Sequence, residues 1–367
     1  MSRIERMTCT VRRKRAVEAA RVAGVEALLV THLADVRWLC GFTGSNAALG
    51  LVGGRAVLFT DGRYKTQAKA EAAGVRVAIG KKPAALAACE WMAAAGVTRC
   101  GFDGSQTTVA ALAAMKKAVP SKVRRGLFVP LGPLVAKLRE VKDADEIRRM
   151  SVAALLGCRL FEGIVGLMQP GMTELAVAAE LEYAARVSGA DAMSFETIVA
   201  SGERSALPHG RATEAKLPKR GFVTLDFGVV LEGYCSDMTR TVHMGRAGAE
   251  ERAVYDAVLE AQEAGVAAVR AGVTCAEVDE AARSVLRRAR LGKYFSHSTG
   301  HGVGIEIHEG PRLAAKQEQK LEAGMVVTIE PGVYLPGKFG VRIEDMVLVT
   351  DTGGEILTPS TKAWIEL

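Results

Sequence analysis

The chain has 367 residues, 49% of them hydrophobic and 24% charged. This composition supports a packed core and excludes a disordered chain. No apolar run reaches the roughly 18 residues that a membrane helix requires, so no membrane partner is expected. The net charge of +7 conceals two opposed halves: residues 1–150 hold 26 Lys/Arg against 12 Asp/Glu, and residues 151–367 hold 22 against 29. Aromatics are only 5%, and no basic stretch interleaves them, so no nucleic-acid surface is expected. The N-terminus has no apolar signal segment. The seven scattered cysteines form no CxxC, so the reading is a cytoplasmic chain without a disulfide frame.

In chain order, residues 11–30 read as an Ala/Arg-rich helix and then a short apolar strand, VEALLVTH. GFTGSNAALGLV and RAVLFTDGRY follow as short strands, with Gly and Asp marking the turns. Helical patterns near 64–73, 84–95 and 107–118 alternate with strand patterns near 75–79, 99–102 and 126–129. That alternation predicts an α/β domain over residues 1–136 and a second domain over 137–367. The charged stretch KLREVKDADEIRRM, residues 137–150, is read as the start of a long helix.

The second part repeats itself. QPGMTELAVAAELEYAAR at 169–186 matches RAGVTCAEVDEAARSVLRR about 101 residues on. VTLDFG matches VTIEPG, which pairs Asp226 with Glu330. Each is followed by a second acid-bearing strand, carrying Asp237 and Glu344, and preceded by a histidine near glycine, His209 and His301. Four matched features in one order point to duplication. The two halves should pack about a pseudo-two-fold axis, with their acids meeting at the centre of one curved sheet.

The acids stand in apolar strands, where a charge needs a partner. A hairpin turning at Leu231-Glu232-Gly233 places Asp226 opposite position 237 or 239, and either register puts Asp226 and Asp237 on one face. Like charges so close ionise together only beside a cation. Glu330 ends the strand MVVTIE. Glu344 sits in VRIEDMVLV with Arg342 on its face and Asp345 on the other. Three histidines, His297, His301 and His308, fall within HSTGHGVGIEIHEG. Its glycines resemble a phosphate loop, but no helix pattern follows. Two Asp, two Glu and one His exceed the needs of one tetrahedral zinc. They suit two divalent ions that activate a water for hydrolysis.

TLDFG, SDMTRT, HSTGHGVG, HE, IEPG and RIEDM resemble the signature segments of the M24 "pita-bread" metallopeptidases, a family of Xaa-Pro aminopeptidases, prolidases and methionine aminopeptidases. The resemblance runs from about residue 148 to the end. WLCGFTGSNAAL and LFTDGRY are similar to the creatinase-type N-terminal domain of the Xaa-Pro members. The implied fold is an α/β N-terminal domain followed by an α+β pita-bread catalytic domain with an internal pseudo-two-fold repeat. The implied ligands of two divalent ions are Asp226, Asp237, His301, Glu330 and Glu344, with Asp237 and Glu344 as bridges. Family habit favours Mn²⁺ over Co²⁺ or Zn²⁺. The resemblance assigns Glu330 to accept a proton from the attacking water, and His209 and His308 to hold substrate and stabilise the tetrahedral intermediate. It assigns His297 to the proline side of the pocket, with Tyr334 and Arg342 supporting the site. The implied partners are a proline-containing peptide and a second copy of the chain in a homodimer. Arg312 and Lys316 are candidate clamps for a dipeptide carboxylate, but neither matches a clear family clamp. The expected activity is therefore Xaa-Pro aminopeptidase. Xaa-Pro dipeptidase (prolidase) is the alternative, and a non-catalytic binding protein the remote one.

Overall fold

A computed structural model describes residues 3–367, with side chains from Met7 onward. The chain divides into two compact units, residues 1–139 and 140–367. The boundary expected at 136/137 falls inside the helix Leu134–Arg139, which belongs whole to the first unit.

In the first unit, the alternating pattern gives a six-stranded mixed sheet. Its order is Arg76–Gly80, Arg55–Asp61, Ala48–Val52, Ala27–Val30, Cys100–Asp103 and Phe128–Leu131. The central strand Ala27–Val30 is buried at every position. That is why VEALLVTH shows no polar alternation. The helices Lys65–Glu71, Ala84–Ala94 and Val109–Ala118 lie where their patterns predict. The helix Leu33–Cys40 was not foreseen. It ends at Gly41, whose φ of 80° makes the left-handed stop that glycine allows.

In the second unit, the long helix begins at Ala144 and not at 137. Asp143 and Glu146 form a capping box there, which fixes the start. The duplication is visible in detail. Thr173 caps the helix Glu174–Val187 and Thr274 caps Cys275–Arg288. Gly171 and Gly272 both turn at positive φ, 94° and 90°. Each donates its N–H at 2.9 Å, to Leu217 and Leu321 respectively. The bridges Thr173–Lys216 and Thr274–Lys320 repeat the same contact.

The strands do not form one continuous curved sheet, as the repeat predicted. They form separate ladders: Ile198–Ser201 with Gly221–Phe227 and Met238–Met244, and a five-stranded set around Val326–Ile329 and Asp345–Val349. A hydrogen bond from Glu344 N to Thr239 O links these two, and one from Thr241 Oγ1 to Arg342 O ties the first to a third ladder, Gly332–Leu335 with Phe339–Arg342. The expected hairpin is also broken. Its tip, Val229–Leu231 with Tyr234–Cys235, joins Ala192–Met193 instead. A Cβ at Gly228 would lie 1.8 Å from Ser236 O, so the chain kinks there with no side chain between. The long helix Ala144–Val165 packs Phe161 and Ile164 against Phe227 and Val229 in one core cluster.

Candidate metal centre

The hairpin takes the second of its two registers: Asp226 pairs with Thr239. Asp237 lies just outside that ladder, at the kink, and is 4% exposed. From the other half, Glu344 is 2% exposed, and Glu330 follows the strand Val326–Ile329. His301 stands on the short strand Gly300–Gly302, paired opposite Arg312. That strand approaches its neighbours too closely for side chains. A Cβ at Gly300 would meet Thr328 O at 1.8 Å, and one at Gly302 would meet Gly310 O at 2.0 Å. The glycines around His301 thus serve strand packing, not a phosphate.

These residues line one cavity of about 600 Å³, together with His209, His297, His308, Arg312 and Arg342. His301 Nε2 is 3.6 Å from Asp237 Oδ2 and 3.6 Å from Glu330 Oε1. One donor atom each from Asp237, His301 and Glu344 lies within 4.8 Å of the others. Asp226 faces the same cavity and accepts a bond from Arg342 Nη2. His301 Nδ1 sits 3.0 Å from Gly302 O, so it carries the proton and leaves Nε2 a free lone pair. Burial pushes the His301 ring down to about 4, which keeps that nitrogen unprotonated at neutral pH.

Burial raises the Asp237 and Glu344 carboxyls well above the usual range, and the neighbouring acids raise them further. Burial, with Asp226 beside it, raises Glu330 to about 8. Three acids that resist ionisation, with one nitrogen donor among them, fit a pair of divalent ions.

The cost of this cluster without ions sets a stability prediction. The unfolded chain releases these protons at about pH 4 to 5, whereas the fold retains them, Glu330 up to about 8. A raised acid therefore lowers stability as pH climbs through that window. His297 and His301, held at about 4 by burial, add stability as pH rises to about 6.5, so the ion-free protein should lose thermal stability between about pH 6.5 and 8, and saturating divalent ions should abolish the loss. A chelated protein whose melting temperature is flat or rises over that range would contradict this account.

Arg342 organises the wall of the cavity. Beyond Asp226, its guanidinium donates to Thr239 Oγ1 at 3.2 Å, Pro208 O at 3.0 Å and Tyr334 OH at 2.7 Å. Thr239 in turn donates to Glu344 Oε2 at 2.6 Å. Tyr334 donates to His297 Nε2 at 2.9 Å, and His297 Nδ1 faces Ser298 O. Burial raises the Tyr334 hydroxyl to about 12 and lowers His297 to about 4, so both are neutral. Sequence reasoning missed Thr239. Its signal was available, because it stands two residues beyond Asp237 in SDMTRT.

His209 and His301, matched by the repeat, take different places. His301 is on a strand, whereas His209 sits in an exposed turn at the cavity wall, beside the Pro208 carbonyl that Arg342 holds. His308 is also exposed. Its ring meets that of His301 edge-on at 4.5 Å. Arg312 lines the cavity with no carboxylate partner among the described residues, while Lys316 lies outside the cavity lining on an exposed turn. Asp345 faces away from the cavity, as its strand position predicted.

Residues 148–351 match the model of metallopeptidase family M24. The chain belongs to this family. Residues 12–141 match the creatinase/prolidase N-terminal domain. An Xaa-Pro dipeptidase from Bacillus anthracis is 40% identical, with a TM-score of 0.94 over 98% of this chain and 100% of that one. An X-Pro aminopeptidase from Thermotoga maritima is 34% identical, with a TM-score of 0.88 over 95% and 100%. An Xaa-Pro dipeptidase of Pyrococcus furiosus is 40% identical over 64% of this chain and 68% of its own. Membership in M24 makes the chain a metallopeptidase with a pita-bread catalytic domain, and divalent ions belong to its activity. Among the described residues, no helix is long and apolar enough to cross a membrane.

Proposed function

We propose that this M24 metallopeptidase is an Xaa-Pro dipeptidase whose ions are held by Asp226, Asp237, His301, Glu330 and Glu344. This reading has better support than the Xaa-Pro aminopeptidase expected from the sequence. The observation that carries it is Arg312, an unpaired cation in the cavity directly across the strand pair from His301. A free proline carboxylate would satisfy it. The likeness to the dipeptidases from Bacillus anthracis and Pyrococcus furiosus agrees.

When bound, two divalent ions would supply an activated water and polarise the scissile carbonyl. Glu330 would accept the proton of that water and deliver it to the imino nitrogen of the leaving proline. His308, beside His301, would donate to the oxygen on which charge develops. His209, next to the Pro208 carbonyl that Arg342 holds, would hold the substrate. The proline ring, fixed in φ and lacking an N–H, would pack near His297 and Tyr334 at low ordering cost. We assign two copies of the chain to the working enzyme and Mn²⁺ as its ion, both on family resemblance.

Kinetics on matched substrates test the choice. Ala-Pro should be cut faster than Ala-Pro-Ala, and Ala-Ala barely at all. Arg312→Ala removes one charge-assisted bond worth about 1.5–3 kcal/mol, so KM for Ala-Pro should rise roughly 10- to 100-fold. Its effect on the tripeptide should be small. Tripeptide cleavage at least as fast as dipeptide cleavage would return the assignment to aminopeptidase. Release of Met from Met-Ala peptides without proline preference would overturn both.

A further inference from the structure

On the far side of the strand Asp345–Val349, away from the cavity, lies a buried charge cluster that the reaction does not use. Successive strand residues point to opposite faces. Glu344 thus enters the cavity, while Asp345, with no exposed surface, enters this second cluster. Asp345 accepts from Arg240 Nη2 at 2.7 Å, Lys362 Nζ at 2.6 Å, Gln262 Nε2 at 2.9 Å and Thr358 Oγ1 at 3.0 Å. Arg240 is 2% exposed. Its guanidinium also donates to the carbonyls of Thr358 at 3.1 Å, Ser360 at 2.8 Å and Thr361 at 3.1 Å.

Two further acceptors join this cluster to the cavity. Arg240 Nη1 donates to Thr239 O at 3.0 Å and to Glu344 O. These two residues are the ones whose side chains meet on the cavity side at 2.6 Å. One planar, five-donor group therefore holds the backbone of both from behind. Lysine has the charge but not that fork. A buried ion pair is weak evidence for stability, since apolar side chains of similar volume often serve as well. They would not hold two carbonyls at bonding distance.

We propose that Arg240, latched by Asp345 and Lys362 to the segment 358–362, is a positioning residue for the metal centre. It sets the spacing of Glu344 against Asp237, so ion affinity depends on how that segment is docked. This inference rests on the metal reading of the cavity.

Two variants test it by Mn²⁺ titration calorimetry and by melting temperature. Lys362 is 17% exposed, so Lys362→Met should fold. It should weaken the more weakly held ion about 10-fold, the lower end of what loss of a supporting group costs a metal site. Excess Mn²⁺ should restore turnover, with KM for the peptide unchanged. Arg240→Lys keeps the charge and loses the carbonyl bonds, and should weaken the ion toward 100-fold. If Arg240→Lys does not fold, the Lys362→Met isotherm decides. Lower melting temperatures with wild-type isotherms would make the cluster merely structural and overturn the inference alone. A wild-type protein that takes up no Mn²⁺ would overturn the metal reading and this inference with it.

Discussion

Glu344→Ala and Asp237→Ala should each lose bound metal and hydrolysis together. Both side chains are almost fully buried, and their donor atoms lie within 4.8 Å of each other and of His301. Removing either leaves too few oxygens to balance two divalent charges. Glu344→Ala also strands the Thr239 hydroxyl, which donates to it at 2.6 Å. The fall in kcat should exceed the roughly 10²- to 10³-fold typical of one lost oxyanion donor. Both variants should still fold, because each removes a carboxyl that burial holds well above its usual range, and Glu344→Ala also removes a charge that raises Asp237. Elemental analysis of dialysed protein, with Ala-Pro hydrolysis on the same sample, is the measurement. Near-normal metal with near-normal turnover in either variant would sink the dimetal assignment.

His308→Ala should separate metal from chemistry. The ring lies on that of His301 at 4.5 Å and is exposed to the cavity. It shares no carboxylate with the metal-facing acids among the described residues. Most of the metal should therefore remain, while kcat falls about 10²-fold, as for a lost donor to a developing oxyanion. KM should move much less, because the interaction is strongest when charge has developed. Metal loss equal to that of the Asp237 variant would place His308 among the ligands instead.

Local pattern made much of this readable. Acids inside apolar strands, Asp226 in VTLDFG and Glu344 in VRIEDMVLV, had to be buried and therefore partnered. The duplicated Gly-x-Thr turns had to start equivalent helices, and Gly171 and Gly272 do so with nearly equal φ. Features set by distant contacts were not readable. The hairpin breaks at Gly228 because Ser236 O comes too close for a Cβ, which no window around Gly228 reveals. Arg312 gained its significance only from pairing with His301 across a bulged register. The helix start at Ala144 was misplaced because charge density at 137–150 outweighed the capping box at Asp143. The match of His209 to His301 failed in three dimensions because a turn replaced a strand.

The contacts that complete the cavity are remote along the chain. The Arg342–Asp226 ion pair spans 116 positions and the Thr239–Glu344 bond spans 105. Closing segments of that length costs entropy before any of these contacts forms, and topologies rich in distant pairings fold slowly. The ligand set is divided between the copies, Asp226 and Asp237 from the first and His301, Glu330 and Glu344 from the second, and the group Asp237, His301 and Glu344 assembles only across both. The complete site therefore forms late in folding. Divalent ions engage after both copies have docked, so they should leave the refolding rate nearly unchanged and slow unfolding, extending the lifetime of the finished enzyme.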